Sequence, residues 1–373
     1  MKKYGIYVLL ATLWAPLSAV AGEKILLSAV GDVIIHDAPY NSILNHPDQF
    51  YALWSNFKPL FEIADISYAN FEGASARNVN QNGSRTADVG FSYDCQGARV
   101  YCGTNFSFNY HPNVIRDLKK VGIDVVSTAN NHALDRRSLG VDETIRALTQ
   151  FQMPFTGTRA KGSTANWETL IRRKGKTVAF VSCTQETNGI PDPHGQVLKC
   201  ESTDMTKTLE RLVADTSVHA VIATPHWGHE YTHQPNASQK RLAQAWADLG
   251  VTAILGSHPH VLQPVTFVRG QNGNRTLVAY SLGNFIARQG GAAKNIGAIL
   301  YLSLESGNDG KLRVGDVSSM PFFLGDLNPN EWPYRFRLTP LDQMSPSAEM
   351  RSIVNQTLGQ TRAVHSRRTQ DLR

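Results

Sequence analysis

Past its first residues the sequence has no long apolar run, carries little net charge of either sign and holds few cysteines. The lack of a second long apolar run excludes a chain that threads the bilayer repeatedly. The formal net charge is only +6, two of those charges are Lys2 and Lys3, and more of the excess gathers near the end at Arg362, Arg367, Arg368 and Arg373. A basic tail of this kind is ordinary solvated chain, so no nucleic-acid partner is expected, while an anionic polymer remains admissible. No Gly-x-Ser-x-Gly nucleophile elbow is present, because Ser281-Leu282-Gly283-Asn284 lacks the leading glycine. Gly83 and Gly90 lie in a polar stretch and do not make a phosphate loop. There is no internal repeat.

What is there begins with an export signal. Lys2 and Lys3 open the chain, residues 6–17 are apolar, and Ala19-Val20-Ala21 supplies small residues before Gly22. Pro16 breaks the apolar run, which is short for a bilayer span, and no cysteine sits beside the cleavage position for lipid attachment. The reading is a signal peptide over 1–21 and an exported chain, periplasmic or extracellular. A single large α/β domain is expected over 22–343, followed by a C-terminal helix and basic tail over 344–373. In an exported chain the four cysteines favour disulfides over metal ligation. Local pairing, Cys95 with Cys102 and Cys183 with Cys200, is the simplest of the three possible connectivities.

Strand-like runs at 25–30, 66–69, 123–127, 177–182, 218–223 and 251–255 alternate with helical periodicity. Val114, Ile115, Leu118 and Val121 mark one helix, ended by Gly122. Val141, Ile145 and Leu148 mark a second, Leu209, Leu212 and Val213 a third. Leu242, Ala245, Trp246 and Leu249 mark a fourth, ended by Gly250. This alternation predicts a parallel sheet, and the strand-only runs at 277–281, 296–304 and 312–317 predict a second sheet. Residues 76–107, rich in Asn, Gly and Ser, read as a surface insertion pinned by the first disulfide.

Polar residues stand just after the parallel strands. Asp32 follows the first, Asn70-Phe71-Glu72 the second, and Asn130-Asn131-His132 with Asp135 the third. His226-Trp227-Gly228-His229-Glu230 and Ser257-His258-Pro259-His260 follow two later ones. Ligands bind outside the carboxyl ends of such strands, so these groups should share one rim. Carboxylates and an amide mixed with imidazoles suit Mn, Fe, Zn or Co, and a carboxylate between two ions can bridge them. One or two divalent transition metals are expected.

Five blocks then carry a family resemblance. They are Ala69-Asn70-Phe71-Glu72, residues 127–135 around Ala129-Asn130-Asn131-His132, Pro225-His226-Trp227-Gly228-His229-Glu230-Tyr231, Gly256-Ser257-His258-Pro259-His260 with Gln263-Pro264, and Tyr280-Ser281-Leu282-Gly283-Asn284-Phe285. In this order they resemble the bacterial poly-γ-glutamate capsule-biosynthesis family (CapA/PgsA-like). The resemblance implies a four-layer αββα sandwich of the calcineurin-like metallophosphoesterase type. It implies Asp32, Glu72, Asn131, His226, His258 and His260 as metal ligands and His132 as proton donor, with Asp135 orienting it. His36, Asn130, His229, Glu230 and Asn284 are expected nearby as contacts to ligands or substrate. The chain departs from the wider metallophosphatase pattern twice. Val33 and Ile34 follow Asp32 where Asp-x-His is usual, and Glu72 stands in an Asp position. Both departures speak against simple phosphoester hydrolysis.

The function so implied is that of a metal-dependent hydrolase or transferase acting on an anionic envelope polymer or its precursor, alongside membrane-bound capsule synthesis proteins. A non-catalytic assembly or export factor and a phosphodiesterase or nucleotidase are the competing readings. Intact-mass analysis of the exported protein is expected to give a chain starting near Gly22; retention of residues 1–21 overturns the signal reading.

Overall fold

A computed structural model describes residues 24–104, 107–326 and 336–372, so the signal segment lies outside the described residues. In chain order the first strands are β1 (Ile25–Val33), β2 (Ile66–Phe71), β3 (Cys102–Thr104), β4 (Ser107–Asn109), β5 (Val125–Ser127) and β6 (Phe155–Thr156). There follow β7 (Thr169–Arg173), β8 (Lys176–Thr184), β9 (Ala220–His226), β10 (Ala253–Leu255), β11 (Val265–Arg269) and β12 (Arg275–Ala279). The last are β13 (Asn284–Ile286), β14 (Ile296–Ser306), β15 (Leu312–Asp326), β16 (Phe336–Pro340) and β17 (Arg362–Ala363). The helices are α1 (Asp37–Ser42), α2 (Lys58–Phe61), α3 (Asn113–Val121), α4 (Arg137–Gln150), α5 (Thr203–Ala214), α6 (Ala237–Leu249) and α7 (Ala348–Leu358).

The helix boundaries follow local chemistry. Ser202 caps α5 by accepting from the Met205 amide, and Asn236 and Gln239 form a reciprocal capping box on α6. Gly122 and Gly250 end α3 and α6 in the left-handed region, with φ of 113° and 101°.

Two sheets stack face to face. One runs β16-β15-β14-β1-β2-β5-β6, with β13 also on β1 and β17 on β15; the other runs β11-β12-β10-β9-β8-β7. Ile25, Leu27, Ala29, Ile66, Tyr68 and Val125 of the first face Phe180, Ile222, Leu255 and Ala279 of the second in one buried cluster. The opposite face of the first sheet, with Val30, Ala69 and Val126, packs on Leu60, Ile115, Leu118 and Leu148 of α2, α3 and α4. The opposite face of the second, with Val181, Ala223 and Ile254, packs on Leu209, Leu212, Ala243 and Trp246 of α5 and α6. The result is the four-layer αββα sandwich. Strands covered on both faces are continuously apolar, and every residue of β1 and of β2 is buried.

The structure distributes the strands differently from the expected division. The parallel strands fall into two sets, β1, β2, β5 and β6 in one sheet and β8, β9, β10 and β12 in the other. Residues 277–279 therefore join the second sheet, whereas β14 pairs antiparallel with β1 and extends the first. An apolar strand pattern reports burial and carries no information about which sheet buries it. Near the C-terminus, α7 sets Met350, Ile353 and Leu358 against the cluster between the sheets. Beyond it Arg362–Ala363 pairs with β15, and Val364 and Leu372 are buried, so the basic segment is anchored on the domain.

Both disulfides are formed, Cys95–Cys102 and Cys183–Cys200. The 76–107 segment is only partly superficial. Ala76, Val79, Val100 and Tyr101 are buried around Asn109, whose amide donates to the carbonyls of Ala76 (2.9 Å), Val79 (3.3 Å) and Val100 (2.7 Å). The buried amide bonds to a ring of carbonyls, which folds both arms of the insertion inward.

A bulge at Gly31 aims the first strand end. The β1–β2 register slips between Val30 and Asp32, and Asp32 lands opposite Asn70 on one side and Asn284 on the other. The Asp32 amide donates to Gly283 O at 3.0 Å, and a Cβ on Gly31 would lie 1.8 Å from that same oxygen. Gly31→Ala is therefore expected to lower the unfolding free energy by about 1–3 kcal/mol in urea titration. Gly290→Ala, with nothing within 4 Å of the added carbon, should change it by less than about 0.5 kcal/mol. Equal effects would remove the role given to the bulge.

Candidate metal centre

The carboxyl ends of β1, β2 and β5 from one sheet meet those of β9 and β10 from the other, and an isolated bridge between His226 and Ser257 links the last two. Asp32, Glu72, Asn131, His226, His258 and His260 are all buried there. His226 Nε2 lies 2.8 Å from Asn131 Oδ1, 3.1 Å from His258 Nδ1 and 3.6 Å from Glu72 Oε1. His260 Nδ1 lies 3.1 Å from Asp32 Oδ2, and its Nε2 is 3.7 Å from Glu72 Oε1. Donor atoms around one ion with bonds of about 2.0–2.2 Å stand roughly 3–3.6 Å apart. The spacing fits that requirement.

Among the described residues, three groups of ligand atoms are close enough to hold an ion: Glu72 with His226 and His258, Asp32 with Glu72 and His260, and Glu230 with His258 and His260. Glu72 belongs to the first two and so lies between the positions. Both of its carboxylate oxygens are buried without a hydrogen-bond partner. A buried carboxylate with no partner is costly, and a cation is the group that such an arrangement accommodates.

Burial disfavours charge on Glu72 and on two of the imidazoles. Burial pushes the Glu72 carboxyl up to about 8, with the Asp32 charge adding to the effect. Burial lowers the His258 imidazole to about 4 and drives that of His226 well below its usual value, the neighbouring imidazoles contributing to both. Neutral imidazole is the ligating form. For His260 burial acts downward too, but the Glu72 and Asp32 carboxylates override it and raise the ring to about 9. His258 and His260 also adopt left-handed backbone, with φ of 95° and 57°. Non-glycine residues hold that conformation only where the surroundings enforce it.

A ring of polar contacts orients these groups. Asn70 Nδ2 donates to Asp32 Oδ1 at 2.7 Å and stands 3.3 Å from His226 Nδ1. Ser257 Oγ donates to Pro225 O at 3.3 Å and lies 3.0 Å from His226 Nδ1. A proton on Nδ1 shared with Ser257 leaves Nε2 free to ligate. Asn284 donates to the carbonyls of His260 (3.3 Å) and Lys294 (2.8 Å), which turns its Oδ1 toward His260 Nδ1 at 3.0 Å.

His132 stands beside this cluster. Its Nδ1 is 2.8 Å from Asp135 Oδ2, and the same oxygen accepts the Phe108 amide at 2.6 Å. Burial works against the charged ring, but the Asp135 carboxylate outweighs it and raises the His132 pKa.

The remaining expected residues take varied positions. Asn130 pins backbone, donating to Phe71 O at 2.8 Å and accepting from the amides of Gly73 (3.4 Å) and His132 (3.1 Å). The Nδ1 of His36 lies 3.1 Å from both Ile34 O and the Arg288 amide, and burial lowers the ring to about 4. His229 is exposed and belongs to none of the three groups. Glu230 is half-buried and closer to the imidazoles than expected. Asn188 was not anticipated: its Oδ1 accepts from Asn131 Nδ2 at 3.2 Å and its Nδ2 is 3.4 Å from His132 Nδ1. It lies in the excursion closed by Cys183–Cys200, where no periodicity or motif singles it out. Ser257 and Asn70 sat within recognisable blocks, and their position at strand ends was the available signal.

Comparison with known proteins agrees with the motif blocks. The family model described as bacterial capsule synthesis protein PGA_cap matches residues 26–289. The PGA biosynthesis protein CapA of Bacillus subtilis (strain 168) is 25% identical over 299 residues, covering 78% of this chain and 70% of that protein. The capsule biosynthesis protein CapA of Bacillus anthracis is 25% identical over 326 residues, covering 82% and 72%. Among solved structures, the NAD nucleotidase NadN of Haemophilus influenzae aligns over 94% of this chain and 59% of its own, at 10% identity and a TM-score of 0.47. A hypothetical protein from Thermus thermophilus aligns over 80% and 99%, at 16% identity and a TM-score of 0.42. Structural likeness at those scores bears on neither chemistry nor substrate. The sequence match, which runs across every strand end of the centre, is what classifies the molecule: this chain belongs to the bacterial capsule synthesis protein PGA_cap family.

Proposed function

We propose that the chain is an exported, metal-dependent hydrolase or transferase acting on an anionic envelope polymer in capsule biosynthesis, with poly-γ-glutamate the favoured substrate. The observation that carries the reading is the buried Glu72 carboxylate, unpartnered at both oxygens, set between an Asp–His group and a His–His–Asn group. Asp32, Glu72, Asn131, His226, His258 and His260 would hold one or two divalent ions of the Mn, Fe, Zn or Co type. Ions bound there supply Lewis-acid activation of the reacting carbonyl or phosphoryl group.

The chain's own part is to hold and deliver a proton. With Nδ1 engaged by Asp135, His132 carries its transferable proton on Nε2. When an amide is cleaved the leaving nitrogen must be protonated, and Nε2–H is the donor in this scheme. Asp135 stabilises the imidazolium, and the Phe108 amide keeps that carboxylate aimed. The named capsule and PGA biosynthesis relatives support the substrate class. The two disulfides support an oxidising compartment outside the cytoplasm. Membrane-bound capsule synthesis proteins belong to the same proposal as partners.

Two variants test the roles. His132→Ala should keep its metal content and lose about 10²–10⁴-fold in turnover of γ-linked glutamate oligomers. His258→Ala should lose metal and activity together. Loss of metal from His132→Ala would make that residue a ligand, and unchanged turnover would place the chemistry elsewhere.

The wild-type protein separates the classes. It should cleave or transfer the γ-linked oligomers in preference to aryl phosphates. Retention of the polymer without turnover would identify a non-catalytic assembly factor instead, and preferential turnover of the phosphates a phosphoesterase.

A further inference from the structure

The two ion positions are unequally supplied. Glu72, His226 and His258, with Asn131 Oδ1 2.8 Å from His226, surround one position with four ligand groups. The other has Asp32, Glu72 and His260. No imidazole from the end of β1 completes it. Ile34, two residues past Asp32, packs into the apolar cluster beneath the helices. His36 directs its Nδ1 at Ile34 O and the Arg288 amide. Charge is short as well: two dications bring four positive charges against the two carboxylates of Asp32 and Glu72, and buried charge needs compensation.

Glu230 offers a further carboxylate, next to His258 and His260. Its carboxylate lies within 4.8 Å of ligand nitrogens of His258 and His260, although it comes from the loop after β9. That loop is tied to the histidine-bearing loop. The Tyr231 amide donates to Pro259 O at 2.8 Å, the residue between the two histidines, and the Tyr231 ring stands 6.2 Å from that of His260. Tyr231 takes φ of 61° to make this turn, so the left-handed strain at His258 and His260 continues into the residue after Glu230. On the outer side Lys294 Nζ sits 3.9 Å from the Tyr231 ring centre, which holds the tyrosine in place. Glu230 is half-buried while the other candidate ligands are fully buried, so it occupies the solvent side of the centre.

We propose that Glu230 is a ligand of this centre, supplying from the solvent side a third carboxylate beside His258 and His260. The inference rests on the metal-centre reading above and adds to it the identity of one ligand.

The test uses the purified mature protein with Zn²⁺ as probe, followed by calorimetry and metal analysis. The wild type is expected to bind two ions per chain. Glu230→Gln should weaken one of them at least tenfold, in line with the roughly 10–100-fold that even an outer partner is worth, and leave the other unchanged. Lys240→Ala, at an exposed position on α6, should match the wild type. In a Zn²⁺-soaked crystal a Glu230 oxygen should lie about 2.0–2.2 Å from the ion. Unchanged affinity in Glu230→Gln, or a Glu230 carboxylate turned away from bound Zn²⁺, overturns this proposal alone. A wild type that binds no ion overturns the metal centre itself, and this proposal with it.

Discussion

The burial of Glu72 is the constraint on which the centre depends. An ionisable carboxylate with no accessible surface and no hydrogen bond to either oxygen is tolerated only where its surroundings are rigid and its charge is answered. Its backbone is clamped on every side. The Glu72 amide donates to Val33 O at 3.1 Å, and its carbonyl accepts from Tyr110 at 2.9 Å. Asn130 holds the residues before and after it. A side chain on such a clamp cannot swing away to solvate itself, so it is either held neutral, in line with the rise of its carboxyl to about 8, or answered by a cation.

The outer loops contribute more than cover. The Cys183–Cys200 excursion delivers Asn188 to both Asn131 and His132. The Cys95–Cys102 bridge ends at β3, whose hairpin partner β4 presents the Phe108 amide to Asp135. Arg136, wholly buried, binds Ser107 Oγ at 2.7 Å and Arg99 O at 3.0 Å, which fastens the same hairpin to the turn carrying His132. Constraining a loop by a covalent bridge lowers the entropy it would lose in taking one geometry. Both bridged segments thus bear on the orientation of the His132–Asp135 pair.

The centre also divides by exposure. Asp32, Glu72, Asn131 and the three imidazoles are buried at the junction of the two sheets, while Glu230 and Tyr231 stand on the solvent side. Low dielectric around the first set strengthens each electrostatic interaction within it. The second set lies where solvent reaches it.

Much of the site was legible in the linear chain for a definite reason. In a parallel α/β arrangement the end of each apolar strand is a position on one rim, so Asp32, Glu72, Asn131, His226, His258 and His260 could be assigned together from strand ends and motif blocks. The helix stops at Gly122 and Gly250 were equally local, since a left-handed cap depends on one residue. The partition of strands between sheets was not legible. β12 and β14 are similar apolar runs, yet one completes the second sheet and the other flanks β1 in the first, a choice made by long-range packing. The same holds for Asn188. It is not distinguished by periodicity or motif, and its place beside Asn131 and His132 comes from the excursion that a disulfide closes across the fold. Sequence alone determined which chemical groups reach the rim, because that follows from local periodicity. Only the tertiary structure decided which of them touch, because contacts between strand ends of different sheets depend on how the sheets pack.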